Sequence, residues 1–120
     1  MGWELDSDRP IYTQLVERIQ VLVVSGYYEP GSRLPSVREL AAEAAVNPNT
    51  MQKAFAELEH SGLIITQGTN GRTVTEDTGL ISEIRGRLAQ KHIGDFCNSM
   101  KQLGYTQMQT MELLQDTLQK

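Results

Sequence analysis

The sequence predicts an α+β, mostly helical fold, and three observations lead there. Apolar residues recur at helical spacing through residues 11–60, interrupted only where residues that stop and restart helices stand. Two short β-prone runs then flank Asn70-Gly71, a hairpin turn signal. Beyond them, residues 80–118 return to helical spacing with no further strand.

Residues 3–7 read as a short extended lead-in. Pro10 suits the first turn of a helix whose apolar face is Ile11, Leu15, Ile19, Leu22 and Val23, and Gly26 ends it. The connector Tyr27-Tyr-Glu-Pro-Gly-Ser-Arg33 carries a Pro30-Gly31 turn. Ser36 and Glu39 match a capping box, opening a second helix with Val37, Leu40 and Ala44 as its expected buried positions. Ala45-Val46 turns the chain. Asn47 as a cap and Pro48 at the first helical position start a third helix, with Met51, Phe55 and Leu58 inward. Ser61-Gly62 stops it. Leu63–Gln67 and Arg72–Thr75 form a hairpin through Gly68-Thr-Asn-Gly71. Glu76–Gly79 is a polar boundary, which divides the chain into a domain at 1–78 and a helical tail at 79–120.

At 120 residues, 39% hydrophobic and 6% aromatic, the chain suits one ordinary domain or a small domain with an appendage. No apolar run approaches the ~18 residues of a membrane span. Glu4 and Asp6 place acid where a signal peptide needs base, and the lone Cys97 forms no internal disulfide, so a cytoplasmic location is expected. The net charge is −4, from 11 Lys and Arg against 15 Asp and Glu. The cations Arg33, Arg38, Lys53 and Arg72 nevertheless fall close together. The acids among them, Glu39, Glu43, Glu57 and Glu59, lie mid-helix or late in a helix. A small positive face on an acidic body is therefore expected.

Helix, helix-turn-helix and hairpin in this order make a winged helix. A third helix of this kind fits a DNA major groove, the second braces it, and the hairpin reaches the neighbouring groove or phosphates. Asn49 and Gln52 suit paired contacts to adenine, and Thr50 suits a phosphate, a base edge or a thymine methyl. Lys53 suits phosphate or guanine. Arg38 and Arg33 are placed for phosphate, and Gly68, Gly71 and Arg72 form the wing. Ser36 and Asn47 stand at the two helix starts, where Asn47 reads more simply as a cap than as a base reader. The plainer readings are an Arg38 paired with an acid of its own helix, and Gln52 and Lys53 as ordinary exposed residues.

Catalysis finds no support. His60 and His92 lack a Cys or acid at metal spacing, and no phosphate loop, nucleophile elbow or carboxylate pair stands out. No metal or cofactor is expected. Cys97, on an amphipathic segment, reads as a small buried residue.

The runs Pro10-Ile-Tyr-Thr-Gln-Leu15, Pro30-Gly-Ser-Arg-Leu-Pro-Ser-Val-Arg-Glu-Leu-Ala41, Val46-Asn-Pro-Asn-Thr-Met-Gln-Lys-Ala-Phe55 and Leu58-Glu-His-Ser-Gly-Leu-Ile64 resemble the GntR family of bacterial transcription regulators. The Asn47-Pro-Asn-Thr50 turn and the short helical tail look like its YtrA subfamily. The resemblance implies a DNA-binding regulator, commonly a repressor, that acts as a homodimer on a pseudo-palindromic operator, often beside a transporter operon. It implies DNA contacts at Arg38, Asn49, Thr50 and Gln52, with the wing tip from Gly68 to Arg72 at the minor groove. Family wings commonly carry several basic residues and end Gly-Thr-Phe-Val. This one reads Gly68-Thr-Asn-Gly-Arg-Thr-Val74, with Arg72 its only cation.

In the tail, Leu80, Ile81, Ile84 and Leu88 share one stripe, followed by Phe96, Met100 and Leu103, a Gly104-Tyr105 break, then Met108, Met111, Leu114 and Leu118. A lone helical pair cannot bury these stripes, so a second copy of the chain is the expected cover. The methionines suit either an adaptable interface or core filling. No feature calls for a small-molecule effector, and a ligand pocket between tail helices is the lesser expectation. An acidic winged helix used as a protein-interaction module is the alternative function.

Overall fold

The computed structural model describes residues 3–68 and 71–120. They form α1 (Ile11–Val24), α2 (Val37–Ala44), α3 (Pro48–His60), β1 (Ile64–Thr66), β2 (Arg72–Val74), α4 (Thr78–Gln102) and α5 (Gln107–Leu118). This is the mostly helical winged helix-turn-helix that the sequence predicts. The chain divides into two compact units, residues 1–85 and 86–120, with the division inside α4.

In the first unit, α1 begins after Pro10, with no side-chain cap of its own. Gln14 ties its start down instead. The Gln14 amide nitrogen donates to the Asp6 carbonyl at 2.6 Å and to the Arg9 carbonyl at 3.1 Å, and its oxygen accepts from the Asp6 amide at 2.6 Å. Gln14 is buried with Leu15, Ile19, Leu22 and Val23. The lead-in is also more than an extended strand. Trp3 is buried, and its indole nitrogen donates to Glu43 of α2 at 3.2 Å.

The capping box of α2 forms as expected: the Ser36 hydroxyl accepts from the Glu39 amide, and Glu39 accepts from the Ser36 amide, both at 3.1 Å. Leu40, Ala41 and Ala44 face inward while Val37, in the first turn beside the cap, is only half buried, a correction to the expected stripe. Ala45 turns the chain at φ 59°, a left-handed conformation that costs a non-glycine residue about 1–2 kcal/mol. The Val46 amide closes the turn onto the Ala41 carbonyl at 3.0 Å. Asn47 then caps α3, accepting from the Asn49 amide at 2.8 Å, with Pro48 in the first turn. Met51, Ala54, Phe55 and Leu58 bury one side of α3 against α1, α2 and β1.

β1 and β2 are antiparallel, pairing Ile64 with Val74, Ile65 with Thr73 and Thr66 with Arg72. The Gln67 amide meets the Gly71 carbonyl at 2.8 Å at the foot of the turn. The expected turn residue Asn70 lies outside the described residues. Residues 31–34 add a third rail to the hairpin. Leu34 donates to the Arg72 carbonyl and Val74 to the Ser32 carbonyl, each at 2.9 Å, and Arg33 bridges Thr73. Such a short stretch beside a Pro-Gly turn carries no alternation by which to foresee it.

The expected polar boundary is shorter than Glu76–Gly79, because Asp77 accepts from the Leu80 amide at 3.0 Å and α4 starts at Thr78. Ile81 and Ile84 are buried in the first unit. In the second unit, Gly104 breaks the helix at φ 94°. Thr106 then opens α5 with a reciprocal cap: its hydroxyl accepts from the Gln109 amide at 3.1 Å, and Gln109 accepts from the Thr106 amide at 2.9 Å.

The Gln14 lock and the Ala45 turn make opposite predictions. Gln14→Leu removes three hydrogen bonds to the part-buried backbone of Asp6 and Arg9 and should lower unfolding free energy by about 1–3 kcal/mol in urea titrations. Ala45→Gly should stay within about 1 kcal/mol of wild type, since relief of the left-handed strain offsets the added freedom of the unfolded chain.

Candidate nucleic-acid interface

The side of α3 opposite its buried stripe carries Asn49, Gln52 and Lys53, all exposed, with Thr50 half buried beside them. Positions 49, 52 and 53 lie one helical turn apart, so their side chains share a face. Asn47 and Ser36 sit at the starts of α3 and α2 and use their side-chain oxygens as caps. The capping amide also holds Glu39 below the usual carboxylate range, the Ser36 backbone donor being the largest cause.

Arg38 occupies the second position of α2 and is exposed. The ion pair to an acid of its own helix does not form, and no partner to Arg38 is found among the described residues. Arg33 is exposed at the base of the wing. Gly71, at φ 78°, lies against it: a Cβ there would stand 3.5 Å from the Arg33 guanidinium. That is ordinary contact, so it is the left-handed backbone at Gly71 rather than a lack of space that favours glycine.

Two cations of the expected face are engaged within the chain. Lys53 Nζ lies 3.9 Å from the centre of the Tyr12 ring, so α1 supplies an aromatic seat for it. Arg72 turns back from the wing toward α3. Its Nε donates to Glu59 at 2.7 Å, and the guanidinium lies over Phe55, 5.2 Å from the ring centre. The Arg72 hydrogen bond is the main reason that Glu59 stays below the usual carboxylate range; burial opposes it and the Thr66 hydroxyl adds to it. Sequence reading missed Tyr12 and Glu59, which reveal themselves only when the elements pack. An open hollow of about 470 Å³ between α2 and the wing is lined by residues that include Arg33, Ser36, Phe55 and Arg72.

The tail residues fall into three groups. Ile81 and Ile84 are buried, while Leu80, Leu88 and Met100 are half buried. Phe96, Met108, Met111, Leu114 and Leu118 are exposed, Met108 and Leu118 by 71% and 75%. Cys97 is exposed rather than buried, at the edge of an open hollow that it shares with Thr110 and Met111 of α5. His60 closes α3 in its last turn. No group of three or more His, Cys, Asp or Glu gathers as metal ligands among the described residues.

Comparison with known proteins bears directly on this geometry. The model of bacterial regulatory proteins of the gntR family matches residues 11–74. The chain is 34% identical over 112 residues to the uncharacterized HTH-type transcriptional regulator YhcF of Bacillus subtilis, covering 93% of each. It is 44% identical over 71 residues to the HTH-type transcriptional repressor YtrA of the same organism, 59% of this chain and 55% of YtrA. Among solved structures, a GntR family transcriptional regulator from Listeria monocytogenes superposes with a TM-score of 0.86 at 37% identity, over 93% of this chain and 98% of that one. The DNA-binding domain of AraR in complex with operator ORX1 gives a TM-score of 0.56 at 25% identity, over 62% and 95%. With its helix-turn-helix, its wing and matches that reach into the tail, this chain belongs to the gntR family of bacterial transcriptional regulators, and its relatives include YtrA.

Proposed function

We propose that the chain is a cytoplasmic, sequence-specific DNA-binding regulator that works as a homodimeric repressor on a pseudo-palindromic operator. The observation that carries this is the two-sided character of α3. Its inner stripe is fully buried, and its outer face presents Asn49, Gln52 and Lys53 beside an unpaired Arg38. Amides at this spacing read adenine, and Arg38 with Arg33 meets phosphate on either side of the groove. Similarity to a DNA-binding domain solved on its operator supports DNA binding by this unit.

The dimer rests on the second unit. Phe96, Met108, Met111, Leu114 and Leu118 form an apolar surface that a second copy would cover. A two-fold dimer places two copies of α3 on one DNA face, with half-sites roughly one helical turn, ~34 Å, apart. Joining two weak half-site contacts raises operator affinity without adding any contact, which suits a chain of net charge −4.

Selection of DNA sites in vitro, followed by binding at increasing salt, tests the reading. Affinity should fall steeply with salt, and indifference between about 50 and 200 mM would favour a protein-interaction module. Arg38→Ala should weaken binding to all duplexes alike. Gln52→Ala should relax preference at one or two positions by about 1–3 kcal/mol, seen as a flattened selection profile there. Met111→Asp combined with Leu114→Asp, both on exposed positions, should halve the sedimentation mass and weaken operator binding at least tenfold. An unchanged mass would remove the tail as the dimer surface.

A further inference from the structure

The rung of the hairpin nearest its tip pairs Thr66 with Arg72, and a single carboxylate of α3 holds both side chains. Arg72 Nε donates to one Glu59 oxygen at 2.7 Å, and the Thr66 hydroxyl donates to the other at 2.8 Å. Phe55, one turn earlier on the same face of α3, lies beneath the guanidinium. The Arg72 side chain is only 25% exposed as a result. A guanidinium whose charge is matched by an adjoining carboxylate displaces little counterion from DNA, and here its Nε donor is already committed to Glu59.

We propose that Glu59 is a positioning residue that locks the wing onto α3 and withholds Arg72 from the phosphate backbone. The wing's only cation thereby serves as a strut, and sequence-independent affinity stays low relative to readout by Asn49 and Gln52. This rests on the DNA-binding reading above and adds a residue that sets specificity.

The test is the slope of log affinity against log salt, measured on a selected duplex and an unrelated one. Three full-length proteins are compared: wild type, Glu59→Gln, and Glu59→Gln with Arg72→Gln. Wild type and the double variant should share one slope. Glu59→Gln alone should be steeper by about 0.9, one added phosphate contact, with tighter binding to the unrelated duplex and a narrower specificity ratio. A double-variant slope about 0.9 shallower than wild type would show that Arg72 already meets phosphate and would overturn the inference. A Glu59→Gln slope equal to wild type overturns it too.

Circular dichroism checks that the variants fold. An independent readout on wild type uses the Arg72 Nε–H resonance followed by NMR as duplex is added. It should hold its position while the Gln52 side-chain amide moves, and an equal displacement of the two sinks the strut. Wild type that binds no selected duplex defeats the DNA reading itself. Binding with the other pattern defeats only the role of Glu59.

Discussion

The first unit depends on one constraint, that α3 be buried along one side and bare along the other. Met51, Ala54, Phe55 and Leu58 meet α1, α2 and β1 at once, so the helix is gripped from three directions. Truncating a buried Phe to Ala generally costs about 3–5 kcal/mol, a large share of the ~5–15 kcal/mol that holds a domain together. With its inner face so committed, α3 can leave its outer amides unpartnered without losing its place. Packing and exposed polar groups are divided between the two faces of one helix.

The charges follow a similar division. The chain is acidic, yet its cations are distributed by role. Arg38 and Arg33 stand exposed, Lys53 rests on Tyr12, and Arg72 is matched by Glu59. Counting charges in the sequence treats these side chains as equals, although their surroundings make them unequal. A small positive face can thus exist on an acidic molecule, and it is narrower than the list of basic residues suggests.

How much was legible in the sequence follows from the range of each interaction. The caps at Ser36 and Asn47 were readable because each closes within three residues, and so was the hairpin with its paired β-prone runs. Gln14, Glu59 and Trp3 were not readable in their roles, since their partners lie 8, 13 and 40 residues away. Periodicity put Val37 on the buried stripe, yet Val37 stands at the open first turn of α2 and is only half buried, while Ala41 one turn on is enclosed. It also treated the Leu80–Leu88 stripe as uniform, whereas Ile81 and Ile84 are buried in the single chain and Leu80 and Leu88 only half so. The exposed residues of α3 were legible as polar positions opposite an apolar stripe, but the partners that hold Lys53 and Arg72 required the fold.

Trp3 has a use that its burial creates. It is the chain's only tryptophan, and it sits in the core with its indole nitrogen on the carboxylate of Glu43, near the end of α2. Indole emission responds to water and to nearby charge, so the protein carries its own optical gauge of whether the helix-turn-helix is seated. Loosening of α2 would redden that light before any gross loss of helix, with no label attached.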